Sequence, residues 1–224
     1  MKTNIYSPDW EEVAGYAFDR FLYQWRTNLA NFDRYFETDD ALFAYNETAV
    51  VGTLSAAVWQ VGGLAVQDYI TYNVKPGAIK KRKVENENSA EYRKPDLWFE
   101  LSGKRYVAEA KKIQLDIPLG ANKVDAHSAA ITAKINEAKN QVLELTAGEG
   151  FDHRLVLVLV VPKFQQNVAE TEVGRYFDLF IEEQRQVANF AFASPYLRLD
   201  ESGQQGLGWS GKHWPGALLL GFSY

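Results

Sequence analysis

Residues 94–112 read KPDLWFELSGKRYVAEAKK, and three of them can do chemistry together: Asp96, Glu109 and Lys111. Two apolar runs flank Ser102-Gly103, a turn pair, so the segment predicts a β-hairpin with strands over 94–101 and 104–113. A two-residue turn sets Leu101 against Lys104, and counting outward sets Asp96 directly against Glu109. Side chains opposed in this way have β-carbons roughly 4.5–5.5 Å apart. Strand alternation places Trp98, Val107 and Lys111 on the face of the two acids. Leu97, Phe99, Leu101, Tyr106, Ala108 and Ala110 fall on the other face, which reads as core. Facing carboxylates repel and call for a compensating charge. Lys111 is one candidate for it. A divalent cation is the other, because hard carboxylate oxygens are its preferred ligands. The plainer alternative is a solvated strand face with an exposed ion pair.

The elements that must hold this hairpin are legible around it. Apolar residues at three-and-four spacing from Trp10 to Phe36 predict one or two helices, with Asp9 and Glu12 as an N-terminal capping pair. Asn46 opens a second helix over 47–61, closed by Gly62 and Gly63. Residues 66–74 alternate and read as a strand, and 75–93 as a loop or ragged strand. Downstream come a helix over 128–145, a strand over 154–161 apolar on both faces, and a helix over 171–187. Short strands at 190–193 and 217–222 flank a glycine-rich loop over 201–216. This order predicts an α/β fold, a mixed sheet flanked by helices.

Pro95-Asp96 and Glu109-Ala110-Lys111, with the hairpin between them, resemble the motif of the PD-(D/E)XK nuclease superfamily, the restriction-endonuclease-like fold. The resemblance implies one domain: a helical extension over 1–45, a core of helix, three strands, helix and strand over 46–162, and a C-terminal helix and strands over 163–224. It implies hydrolysis of phosphodiester bonds in DNA with Mg²⁺, for which Mn²⁺ can substitute. Asp96, Glu109 and the Ala110 carbonyl would hold the metal. Lys111 would orient or deprotonate the attacking water and stabilise charge on phosphorus. Glu47 would bind a second metal or a metal-bound water, with Asp68 as the alternative upstream acid. Gln141 corresponds to a polar residue often found on the following helix. Lys80, Lys81, Arg82 and Lys83 would contact backbone phosphates. A homodimer suits double-strand cleavage, and a partner protein for targeting is a further expectation. A role in defence or restriction follows only by analogy. The alternative is the same fold without catalysis, serving as a nucleic-acid-binding or assembly subunit.

Composition narrows the remaining classes. The 224-residue chain has a net charge of −5, yet residues 75–112 carry eleven basic residues against six acids. Positive charge is therefore local, where nucleic acid would be handled. With no cysteine, a disulfide framework, a cysteine nucleophile and thiolate metal sites are excluded. His127, His153 and His213 lack zinc-ligand spacing, and neither a P-loop nor a GxSxG motif is present. The N-terminus lacks the apolar stretch of a signal peptide, and the strongest apolar run, 155–161, is too short to span a bilayer. A cytoplasmic protein without membrane contact is expected.

Overall fold

The computed structural model describes residues 4–35, 46–68, 71–72, 92–93, 95–117, 124–145, 150–164, 170–187, 189–198 and 214–224. Lys80, Lys81, Arg82 and Lys83 lie outside the described residues, as do most of the 75–93 segment and of the glycine-rich stretch over 201–216.

In chain order the elements are β1 (Ile5–Tyr6), α1 (Pro8–Tyr35), α2 (Glu47–Gln60), β2 (Leu64–Gln67), β3 (Thr71–Tyr72), β4 (Tyr92–Arg93) and β5 (Leu97–Leu101). They continue with β6 (Lys104–Ile117), α3 (Val124–Leu143), β7 (His153–Phe164), α4 (Glu170–Arg185), β8 (Phe190–Leu197) and β9 (Gly216–Ser223). A seven-stranded mixed sheet runs in the order β1-β8-β9-β7-β6-β5-β2. Among the described residues only β6 and β7 pair in parallel, because α3 carries the chain back between them. The expected α/β class with a mixed sheet flanked by helices is what the structure has.

Two apolar layers sandwich the sheet. On one face Phe18, Phe21, Trp25, Leu54 and Val58 of α1 and α2 pack on Phe99, Tyr106 and Leu157. On the other, Ile131, Ile135, Phe177 and Phe180 of α3 and α4 pack on Val107, Val156 and Val158. The run LVLVLVV in β7 thus divides residue by residue between the layers, as a central strand must. A buried polar contact ties β8 to α1: the Tyr196 hydroxyl donates to Asp33, and Arg198 Nε lies 3.5 Å from the same carboxylate.

Three sequence expectations need correction. Helix α1 starts at Pro8, and Ser7 caps it by accepting from the Trp10 N–H at 3.3 Å. Proline at the first helical position is favoured because its missing N–H is not needed there, so Asp9 and Glu12 fall inside the helix. The strand expected over 66–74 is β2, which ends at Gln67, because Asp68 turns the backbone with φ of 49°. Thr71–Tyr72 instead pairs with Tyr92–Arg93 in a separate two-stranded sheet. The hairpin's first strand begins at Leu97, three residues later than expected, so Asp96 stands just before it. Among the described residues no helix is long and apolar enough to cross a membrane.

Candidate functional site

Ser102 and Gly103 both take positive φ, 50° and 78°, the geometry of a tight two-residue turn. The resulting register is the one expected: Leu101 faces Lys104 and Leu97 faces Ala108. Asp96 and Glu109 stand just beyond this last ladder pair. They are close enough for a protonated Glu109 to hydrogen-bond Asp96.

The site exists because β6 outruns β5. The ladder with β5 ends at Ala108, while β6 continues to Ile117 and stays paired with β7 on its other side. Backbone groups on the edge that β5 has left need other partners. Two carboxylates supply them. Asp96 Oδ2 accepts from the Ala110 N–H at 2.8 Å, and Glu47 Oε2 accepts from the Lys112 N–H at 3.0 Å. Alternate strand residues point to the same side, so Ala110 and Lys112 are successive donors along this edge. The N–H and C=O of one residue also share a side, which turns the Ala110 carbonyl toward the same edge.

Lys111 lies between these acids. Its Nζ is 3.5 Å from Glu47 Oε1 and 4.0 Å from Asp96 Oδ2, and the residue is buried. Glu47 is delivered by the start of α2. There the Asn46 side chain accepts from the Ala49 N–H at 2.9 Å and fixes where the helix begins. Glu109 is only 6% exposed. Burial, reinforced by the neighbouring Asp96, pushes its carboxyl up to about 8 from an ordinary 4.5, with Lys111 pulling the other way.

The structure therefore gathers Asp96, Glu109, Lys111 and Glu47. Of the two upstream acids, Glu47 touches Lys111, whereas Asp68 reaches the site through its backbone, its N–H donating to the Asp96 carbonyl at 3.3 Å. Gln141 lies on α3 with its side-chain carbonyl buried and, among the described residues, without a hydrogen-bond partner. One turn before it stands Glu137, which sequence reasoning did not single out. The Lys111 charge helps hold its carboxyl low, after a stronger effect from Lys134. Its position four residues before Gln141 was the available signal.

The donor chemistry suits a hard divalent cation. Magnesium is commonly held by one or two carboxylates with water completing its shell, and a carboxylate pair that keeps its buried member protonated is short of positive charge. Among the described residues no group of three or more acids or histidines is drawn together as a ready metal cage. The Asp96–Glu109 pair is thus the part of the site that would hold an ion. Comparison of the chain with protein-family models, curated proteins and solved structures finds no match.

Proposed function

We propose that the chain is a Mg²⁺-dependent nuclease that hydrolyses phosphodiester bonds in DNA. The observation that carries this reading is the convergence of buried Glu109, partly exposed Asp96 and a buried lysine at the open end of one hairpin. The succession α2, β2, β5, β6, α3, β7 supports a restriction-endonuclease-like core, with β3 and β4 inserted in it.

Asp96 and Glu109, with the Ala110 carbonyl beside them, would hold magnesium, which when bound neutralises phosphate charge and lowers the pKa of a water. The chain's own groups do the rest. Lys111 holds an N–H donor against the attacking water and against the charge that grows on the phosphoryl oxygens. Glu47 fixes that ammonium in place through its Oε1 while its Oε2 grips the strand. Glu109 must lose its proton before it can act as a ligand. Water oxygen bonds to phosphorus and gives up a proton, the bond to the leaving oxygen breaks, and the leaving oxygen takes up a proton in turn, so that none is gained or lost.

A second reading, a nuclease fold that binds without cutting, draws on one observation: Asp96 and Glu47 already spend oxygens on the β6 backbone. Cleavage of plasmid and single-stranded DNA with Mg²⁺, with Mn²⁺ and with EDTA separates the two. Metal-dependent cutting by the native chain, lost in Lys111→Ala, is expected. A folded protein that cuts under neither metal sinks the nuclease reading and favours the second.

A further inference from the structure

We infer that the cleft at the kink of α1 is a second binding site, suited to a small phosphomonoester with a planar ring, of the mononucleotide class. It does not depend on the nuclease reading. Gly15 breaks α1 with φ of 56° and ψ of −175°. The kink, the Val61 end of α2 and the β5–β6 turn border a half-open cavity of about 320 Å³. The space above the kink is open, since a β-carbon on Gly15 would meet no atom within 4 Å. The cavity lies at the hairpin's turn, some five residues or roughly 16 Å along the strand from Glu109.

Its lining has a definite chemical character. Arg20 and Lys104 contribute two positive charges, and among the described residues no carboxylate lines the cavity. Among the described residues neither cation is within ion-pair distance of an acid. The Lys104 ammonium is positioned by a 2.7 Å bond to the Val13 carbonyl, which leaves it further protons to donate. In a chain of net charge −5, a cavity bearing two cations and no acid among its described lining selects anions. A phosphomonoester carries about −1.5 to −2 at neutral pH and balances two cations, where a carboxylate or a phosphodiester balances one. Ser102 adds a hydroxyl, Val61 and Leu101 add apolar wall, and the Tyr16 ring is 80% exposed with Arg20 lying 6.0 Å from its centroid. An aromatic base between apolar wall and an open tyrosine ring meets those features.

Calorimetric titration of the whole chain with adenosine 5′-monophosphate tests the assignment, with adenosine and inorganic phosphate as controls. The nucleotide is expected to bind at least about tenfold more tightly than either control. Arg20→Gln and Lys104→Gln should each weaken it by about tenfold or more. Glutamine at 104 still offers Val13 a donor, so thermal unfolding should stay unchanged. Glu109→Gln should bind as the native chain does. No binding at millimolar nucleotide overturns the proposal, as does binding that survives both charge removals or is lost in Glu109→Gln. Phosphate binding as tightly as the nucleotide overturns the ring-bearing class.

Discussion

Glu109 keeps its proton in the folded protein up to about pH 8, whereas the unfolded chain ionises it near 4.5. Between those values the folded state binds the extra proton, so this residue's stabilising contribution is complete below the window and falls away as pH rises through it. Glu109→Gln stays neutral throughout. Its melting temperature should vary less between pH 5 and pH 8 than the native chain's, and a native chain with no greater slope would refute the assignment. A metal at Asp96 and Glu109 must displace this proton, so cleavage should rise with pH and level off near pH 8, with release of about one proton per metal bound below it. Lys111→Ala should lose about 10²–10³-fold in cleavage rate while remaining folded. At this scale the sequence was informative where arithmetic sufficed. A two-residue turn fixes the register, and the register brings Asp96 to Glu109. It was silent on Glu47 bonding the Lys112 N–H, because that contact joins residues 65 apart and depends on where β5 stops.

The elements position these residues through their ends. Asn46 sets the first turn of α2, and Glu47 is its first residue. Asn46→Ala should cost about 1 kcal/mol of stability through the lost cap. It should also lower cleavage more than it lowers binding of DNA, because Glu47 loses its fixed approach to Lys111. Denaturant unfolding and a comparison of rate with affinity would check both; an unchanged rate would detach Glu47 from the chemistry. Helices were readable from their periodicity, and β7 from its unbroken apolar run. Their boundaries were less so. Ser7-Pro8 and Asp9 with Glu12 compete as starts for one helix, and sequence alone does not rank them. The end of β2 rests on the left-handed backbone of Asp68, a conformation that asparagine and aspartate tolerate but do not announce.

Across the whole molecule, α1 and α2 share one layer, both packed on the same face of the sheet and against each other. Trp25 of α1 is fully buried, and its indole N–H donates to the Thr53 hydroxyl of α2 at 3.1 Å. Trp25→Ala should cost about 3–5 kcal/mol, read as a lower denaturant midpoint. Cleavage by whatever fraction stays folded should fall too, since α2 carries Glu47. The two-layer core was foreseeable from the apolar faces. The order of strands was not, because pairing between segments far apart in the chain leaves no local pattern.

The edge of β6 that lies beyond β5 has a spectroscopic consequence. Ala110 and Lys112 owe the protection of their amide hydrogens to side chains that are free to leave. If those carboxylates turn to a cation, the two amides lose their acceptors and should trade hydrogen for deuterium faster, while those donated to β7 hold steady. The protein would thus report occupation of its own site through two backbone protons, with no label attached and no bond cut.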